Sequence, residues 1–195
     1  MSQVKRAIMI FLSFSFLCGL VYPLMITAIA QIFFPHRAGG SLVMMDGRVA
    51  GSELIGQMFR EPNYFHGRPS ATEPAYNAAA SSGSNLGPTN AKLLEQVKER
   101  IDKVRQENDL ASFDAPVPAD LVLTSASGLD PHISPASAML QVQRVARERQ
   151  LPESEVELLV SRHIERPLLE VWGQERVNVL KLNMALDRLK QERPQ

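Results

Sequence analysis

The sequence predicts a membrane-anchored α+β protein, with one N-terminal transmembrane helix followed by a single small extracytoplasmic α+β domain. Residues 7–34 contain no charged side chain. A helix of that length would be about 42 Å long, against about 30 Å of hydrocarbon in a bilayer. Beyond it, helical and strand-like patterns occur without the regular alternation of a parallel sheet. We therefore assign residues 1–6 to a short cytoplasmic tail, 7–34 to the helix and 35–195 to the domain.

A cleaved signal peptide is the alternative interpretation of the N-terminal segment. Lys5 and Arg6 would form its basic start, and the sequence AIA at 28–30 matches the small-x-small pattern of a cleavage site. However, the apolar core of a signal peptide is usually about 7–15 residues long. The apolar run here is longer and continues through residues 32–34. We predict that the segment is retained as an anchor.

The charges on either side of the helix predict its orientation. Lys5 and Arg6 precede it, and Arg37 and Arg48 follow it. The positive-inside rule, together with the short tail, favours a cytoplasmic N-terminus. We therefore expect the domain to lie outside the cytoplasm.

Small residues recur at every fourth position of the helix, at Ser15, Gly19, Pro23 and Thr27. This spacing places them on one stripe, where a second helix can approach closely. Pro23 has no amide hydrogen to donate to the carbonyl of Gly19, so we expect a local distortion there. The stripe predicts a docking face. The alternative is a lipid-facing anchor whose small residues are incidental.

The charge balance argues against nucleic acid as the main partner. The chain has 21 basic and 21 acidic residues, and Lys5 and Arg6 are the basic residues that precede residue 35. Residues 35–195 therefore carry 19 basic and 21 acidic residues, whereas phosphate binding needs a clustered basic excess. The single cysteine, Cys18, lies in the apolar run, so no intrachain disulfide can stabilise the domain.

Local patterns predict the elements of the domain in order. Residues 42–45 and 48–50 flank Asp46-Gly47, a dipeptide typical of a two-residue hairpin turn. Ser52 could cap a short helix that carries Leu54, Ile55, Met58 and Phe59. Residues 61–90 are rich in proline, glycine and serine and predict a long loop. Such loops tend to be functional or mobile.

Helical periodicity and capping residues predict four helices after the loop. They cover residues 90–107, a segment that begins at Ser134-Pro135, a segment that begins at Pro152-Glu153, and residues 179–190. Their apolar faces would be formed by Leu93, Leu94, Val97, Ile101 and Val104, by Met139, Val142 and Val145, and by Val156, Leu159 and Val160. Strands are expected at 121–125 and near 168–172.

No group of residues in the sequence forms a recognisable catalytic or metal site. The four histidines, His36, His66, His132 and His163, include no His-x-x-x-His pair, and we expect His163 to be structural. Gly-x-Ser-x-Gly and both standard phosphate-binding glycine motifs are missing from the sequence. Residues 83–90 form a glycine-containing loop before a helix, which could bind an anion or simply cap that helix. Partner binding is therefore the expected role.

The chain resembles the C subunit of bacterial Kdp-type potassium-transporting ATPases over essentially its whole length. The resemblance rests on the N-terminal span and on four segments in the same order: YFHGRPSA at 64–71, ASSGSNLGPTN at 80–90, SGLDPHISP at 127–135 and VNVLKLN at 177–183.

The resemblance implies a non-catalytic subunit of a high-affinity potassium uptake complex in the bacterial inner membrane. In that membrane, the orientation expected from the charges would put the domain in the periplasm. Its partners would be a channel-like potassium-translocating subunit, a P-type ATPase subunit and a very small stabilising membrane subunit. Members of this family are needed for assembly and are described as catalytic chaperones that raise the ATP affinity of the ATPase subunit. No firmly bound cofactor is implied, and ATP would act through the complex.

The polar segments are the expected contacts with the transport subunits. Their candidate interface residues are Tyr64, His66, Arg68, Asn85, Asp130 and His132. An aromatic ring, a guanidinium and a backbone shaped by glycine and proline suit a rigid, hydrogen-bonding interface. The alternative function is a membrane-anchored extracytoplasmic ligand-sensing domain, in which these segments would line a pocket.

Overall fold

The computed structural model describes residues 2–45, 47–110, 115–167 and 172–191. Residues 190 and 191 are described by their backbone alone. The chain divides into two compact units, Met1–Val43 and Met44–Gln195. The boundary falls inside the first β-strand, and we describe each unit by itself.

The N-terminal unit is built around a helix long and apolar enough to cross a membrane, Gln3–Phe33. It consists of α1 (Gln3–Phe16), a π-helical segment (Leu17–Val21) and α2 (Tyr22–Phe33), and no side chain of these elements is buried. A short helix, α3 (Pro35–Ala38), follows. Such a fully exposed apolar helix needs an apolar environment outside the chain, as a transmembrane anchor has.

The π-helical segment lies where the sequence predicts a distortion, directly before Pro23. Proline removes one backbone donor, and a π turn is one recognised way to accommodate the change. The turn also affects the stripe of small residues. In an α-helix, residues four apart drift by about 40° around the axis, and a wider π turn opposes this drift. Ser15, Gly19, Pro23 and Thr27 therefore remain close to one line.

The predicted hairpin is confirmed, and the short helix after it is wrong. Strands β1 (Leu42–Met45) and β2 (Arg48–Ser52) form a two-stranded sheet. Asp46 lies outside the described residues, and Gly47 has a positive φ of 76°. Ser52 does not start a helix. Its hydroxyl accepts a hydrogen bond from the amide of Leu54 at 3.1 Å, as a helix cap would, but the chain after it forms only a turn.

The predicted helices of the domain are confirmed, with one change. The structure has α4 (Ala91–Glu107), α7 (Glu153–Arg162) and α8 (Val179–Gln191), and the helix expected after Ser134 is broken at Gln141 into two. These are α5 (Pro135–Leu140) and α6 (Val142–Arg149). The long loop at 61–90 contains no helix or strand, as expected.

A small antiparallel sheet with strand order β3-β5-β4 was not predicted. Its strands are β3 (His132–Ile133), β4 (Ile164–Glu165) and β5 (Arg176–Asn178). The strand expected at 121–125 is wrong, because the chain there leaves a 3-10 turn, Ala119–Leu121, and continues without pairing. Of the strand expected near 168–172, residues 168–171 lie outside the described residues.

The core of the domain is formed by the helices α5 to α8, the small sheet and one residue of the long loop. Helices α6, α7 and α8 supply most of the apolar side chains, and Phe65 from the loop is fully buried among them. Two predicted apolar faces differ from expectation. Met139 is 37% exposed and the neighbouring Ala138 is buried in its place, and no residue of α4 is buried.

Buried polar side chains hold part of the long loop in place, over residues 62–66, which we call the clamped segment. Asn183 of α8 accepts from the amide of Phe65 at 2.9 Å and donates to its carbonyl at 3.0 Å. Gln141 does the same for His66, at 2.8 and 3.1 Å. The two side-chain amides thus supply the hydrogen bonds that a neighbouring strand would otherwise give.

Two arginines satisfy the remaining carbonyls of the clamped segment. Arg144 donates to the carbonyls of Pro62 and Tyr64, and Arg149 donates to that of Asn63 at 2.7 Å. Five consecutive carbonyls of an irregular segment are therefore each bonded to a side chain. The segment is ordered without secondary structure.

Gln141→Leu should lower the free energy of unfolding by about 2 kcal/mol or more, because both backbone groups of His66 would be buried without a partner. Urea unfolding of the full chain in detergent, followed by circular dichroism, measures the effect. Gln143→Leu is the matched control, since Gln143 is exposed, and should stay within about 0.5 kcal/mol. Equal losses of unfolding free energy in the two variants would mean that the hydrogen bonds from Gln141 to the clamped segment do not stabilise the domain.

Candidate functional site

Arg68, Asp130 and His132, which are far apart in the sequence, meet in one cluster. Arg68 Nη1 donates to Asp130 Oδ2 at 3.0 Å, and Arg68 Nη2 lies 3.2 Å from the carbonyl oxygen of Thr124. The other oxygen of Asp130 accepts from the backbone amide of His132 at 3.0 Å. The guanidinium thus ties the loop after residue 66 to the segment that leads into β3.

The imidazole of His132 lies between two carboxylates. Its Nδ1 is 3.5 Å from Asp130 Oδ1 and its Nε2 is 3.8 Å from Glu165 Oε2 on β4. Burial alone would raise the pKa of Asp130, but hydrogen bonds from His132 and the pairing with Arg68 hold that pKa below its ordinary value. Asp130 is therefore an ionised carboxylate at neutral pH, a hydrogen-bond acceptor rather than a proton donor.

In the part of the domain that the structure describes, Arg68 lines two open cavities. The first, which we call the α4 cavity, has a volume of about 530 Å³. It lies against one face of α4 and is lined by Gln57, Met58, Phe59, Arg60, His66, Gly67, Arg68, Pro69, Ser70, Tyr76, Arg100, Lys103, Val104, Glu107, Asn108, Leu121 and Gln141. The second, of about 560 Å³, includes Asp130 and His132 in its wall.

A close approach of the backbone shapes the wall of the α4 cavity. A Cβ on Gly56 would lie 2.3 Å from the ring of Tyr76 and 2.7 Å from the carbonyl oxygen of Asp130, so a larger residue would displace both. Tyr76 donates its hydroxyl hydrogen to the carbonyl of Arg68 at 2.6 Å, and burial raises its pKa to about 12. Tyr76 is therefore a neutral structural donor.

His66, the last residue of the clamped segment, lines the same cavity next to α4. Its Nε2 is 3.1 Å from the carbonyl oxygen of Glu61, and its Nδ1 is 3.5 Å from a carboxylate oxygen of Glu107. Burial, reinforced by the positive charge of Arg144, lowers the pKa of His66 below 6.5, and the carboxylate of Glu107 opposes this only in part.

The other two candidate residues are placed apart from the cluster. Tyr64 donates its hydroxyl hydrogen to Asp187 at 3.2 Å, and its ring lies 4.5 Å from the guanidinium carbon of Arg149. Asn85 is exposed and has a positive φ of 53°. The six residues named from the sequence therefore do not converge on one site.

Two further positions have structural roles in the described chain. Asn90 caps α4, and its side-chain oxygen accepts from the amide of Lys92 at 2.9 Å, which agrees with the capping interpretation of the 83–90 loop. His163 ends α7, with Nδ1 2.8 Å from the carbonyl oxygen of Leu159. Among the described residues, no group of three or more His, Cys, Asp or Glu side chains could hold a metal ion.

The sequence analysis missed the buried polar residues that position the site. Gln141 is 1% exposed, Arg144 is 2% exposed and Asn183 is 1% exposed. A weak signal existed, because Gln141 and Arg144 are three residues apart beside the apolar Val142 and Val145 and share a helix face. Such a polar pair predicts a buried hydrogen-bond network only if the groups that it bonds to are known. The carbonyls that accept from Arg144 lie about 80 residues away in the sequence.

These features define a class of protein: a chain with one helix fit to cross a membrane and a small α+β domain whose polar loops are fixed by hydrogen bonds. A family model described as KdpC, K+-transporting ATPase, c chain, matches residues 4–188. The chain belongs to this family.

Relatives over nearly the full length agree. The potassium-transporting ATPase KdpC subunit of Sorangium cellulosum is 55% identical over 96% of this chain and 98% of its own length. The KdpC subunit of Rhodopseudomonas palustris strain BisB18 is 50% identical over 97% and 100%, and that of Methylococcus capsulatus is 52% identical over 97% and 99%. The matched region includes the N-terminal helix as well as the domain.

The lowered pKa of His66 predicts a pH dependence of stability. Between that pKa and 6.5 the unfolded chain binds more protons at this site than the folded one, so the free energy of unfolding should rise with pH there. The stability should be lost as the pH falls from 6.5 towards the lower folded pKa. Urea unfolding across this range, with wild type and His66→Asn, measures the slope. An identical slope in the variant would contradict the assignment.

Proposed function

We propose that the chain is a non-catalytic accessory subunit of a high-affinity, ATP-driven potassium uptake complex in the bacterial inner membrane. The observation that carries the proposal is the family match over residues 4–188, which takes in both the apolar helix and the domain. The relatives are named as KdpC subunits of a potassium-transporting ATPase. In such a complex this chain would assist assembly.

The proposed partners are a channel-like potassium-translocating subunit, a P-type ATPase subunit and a very small stabilising membrane subunit. The sequence contains no Asp-Lys-Thr-Gly-Thr phosphorylation loop, and its one Asp-Lys pair, Asp102-Lys103, lies within α4. ATP hydrolysis in the complex is therefore assigned to a partner. This chain contributes binding surfaces.

The membrane helix supplies one of these surfaces, through Ser15, Gly19, Pro23 and Thr27. Gly19 supports this role, because a Cβ added there would meet no atom of the chain within 4 Å. The glycine is not required by packing within the described chain, whereas close approach of a partner helix would require it.

The polar loops supply the second surface. Asn85 is exposed, and Arg68, Asp130 and His132 line an open cavity. Their hydrogen bonds within the domain fix the geometry that they offer to a partner, which reduces the entropy lost on binding. Tyr64 and His66, which belong to the clamped segment, are the remaining candidate interface residues.

The effect on ATP is proposed to be indirect. The charge pattern favours an N-terminus in the cytoplasm and a domain in the periplasm, away from cytoplasmic ATP. A rise in the ATP affinity of the ATPase subunit would then reach the nucleotide site through the membrane partners. Such a coupling free energy is typically about 1–3 kcal/mol.

The proposed topology predicts which cysteines react from outside. Ser82 is exposed in the domain, so Ser82→Cys in a Cys18→Ala background should react with an impermeant thiol reagent on intact spheroplasts. Ser2→Cys in the same background is the control and should react only after lysis. The reverse pattern would invert the topology, and a mature chain that lacks residue 2 would show that the anchor is cleaved.

The docking stripe predicts the effect of Gly19→Leu. The variant should enter the membrane normally, since leucine is apolar, but should co-purify with much less of the partner subunits. The matched control is Ala28→Leu, which adds a similar bulk to the same helix at a position outside the stripe. Equal recovery of partners with the two variants would reduce the helix to a lipid-facing anchor.

An indirect effect on ATP predicts that the isolated full-length chain in detergent shows little affinity for ATP. Isothermal titration calorimetry measures this directly. Saturable binding in the micromolar range that is lost in Gly87→Ala, where a Cβ would meet no atom within 4 Å, would show that the 83–90 loop contacts the nucleotide. The chaperone role would then be direct.

A further inference from the structure

The lining of the α4 cavity has an excess of positive charge, although the domain as a whole does not. Residues 35–195 carry 19 basic and 21 acidic residues, yet the cavity is lined by four basic side chains and one acidic one. The basic residues are Arg60, Arg68, Arg100 and Lys103, and the acidic residue is Glu107. Such a local excess creates a positive potential that attracts anions.

Ion pairs within the domain neutralise part of this charge and leave the rest. Arg68 pairs with Asp130 at 3.0 Å, and Glu107 is shared between Lys103 at 3.6 Å and His66 at 3.5 Å. Arg100 donates to the carbonyl of Val122 at 2.9 Å. Within the described residues neither Arg100 nor Arg60 forms an ion pair with a carboxylate.

Partial burial destabilises the charged form of Arg100. Burial lowers the pKa of its guanidinium, and the nearby carboxylate of Glu99 compensates only in part. A guanidinium presents five donors, and the bond to Val122 uses one of them. An anion in the cavity would supply both the missing negative charge and the acceptors.

The size and the partly apolar wall of the cavity suit a ligand larger than an inorganic ion. Its volume of about 530 Å³ lies in the range of about 300–1,000 Å³ that small-molecule sites occupy. Met58, Phe59 and Leu121 form apolar parts of its wall. A ligand with a carbon skeleton would bury these surfaces, whereas a hydrated ion would leave them wet.

Rigid elements hold the cavity open. Arg100, Lys103 and Glu107 project from one face of α4, since residues three and four apart on a helix are neighbours. On the other side, His66 is fixed by Gln141 and the carbonyl of Arg68 by Tyr76. A preformed site of this kind loses little entropy when a ligand binds.

We propose that the α4 cavity binds a small organic polycarboxylate, a di- or tricarboxylate anion. Arg100 and Arg60 would pair with carboxylate groups, and Lys103 would add a third positive charge. The apolar wall at Met58, Phe59 and Leu121 would contact the carbon skeleton. The binding site is distinct from the helix stripe and would make the domain responsive to a soluble anion.

Isothermal titration calorimetry of the full-length chain in detergent, at constant ionic strength, tests the proposal. The probes are citrate and glutarate, with the neutral glutaramide and inorganic phosphate as comparisons. Saturable binding of a carboxylate probe, but not of glutaramide, is expected. Arg100→Gln and Lys103→Gln should each weaken it about tenfold or more, because each removes a charge-assisted contact.

Arg162→Gln is the matched control, since Arg162 is an exposed helix residue that lines neither cavity, and it should leave the affinity unchanged. Circular dichroism melting checks that the variants are folded, and Lys103→Gln decides the matter if Arg100→Gln is not. Three results would overturn the proposal: no saturable binding of either carboxylate in the millimolar range, an equal loss in the control, or phosphate bound as tightly as the carboxylates.

Discussion

The order of the domain depends on one buried guanidinium, that of Arg144. The side chain is 2% exposed and donates to two carbonyls of the clamped segment, to the side-chain oxygen of Asn108 after α4 and to that of Gln141. A buried charge is costly unless neutral acceptors or counter-charges surround it, and here neutral oxygens do so. Loss of Arg144 would remove this donor from the carbonyls of Pro62 and Tyr64 and from the side-chain oxygen of Asn108. The side-chain oxygen of Gln141 would keep only its hydrogen bond from the amide of His66. The position of α4, the path of the loop and the environment of His66 therefore follow from this contact.

The parts of the fold that local chemistry determines could be predicted from the sequence. Asn90 and Ser134 cap helices where the capping rules place them, and Gly47 takes the positive φ of a hairpin turn. The three-stranded sheet could not be predicted, because β3 and β4 have two residues each and pair only through β5. A strand of two residues has no periodicity to detect, and its existence depends on partners distant in the sequence.

The candidate site was predictable only as a set of segments. The sequence identified Arg68, Asp130 and His132 as polar residues of unusual segments, and the structure brings these three together. It could not separate Asn85 from them, because exposure depends on the tertiary fold. Arg100 and Lys103 lie outside the apolar face predicted for residues 90–107, and the sequence analysis gave them no role. The tertiary structure places both side chains in the wall of the α4 cavity, opposite residues of the long loop.

The proposed function is that of a subunit that acts by binding its partners. One apolar helix has no buried side chain within the described chain, and the domain presents fixed polar loops. The most direct test is purification of the chain from its native membrane in mild detergent, followed by mass measurement of the purified species. We predict a stoichiometric complex that contains a P-type ATPase subunit and a potassium-translocating subunit. A chain that is recovered alone, in gentle conditions that preserve other membrane complexes, would contradict this account.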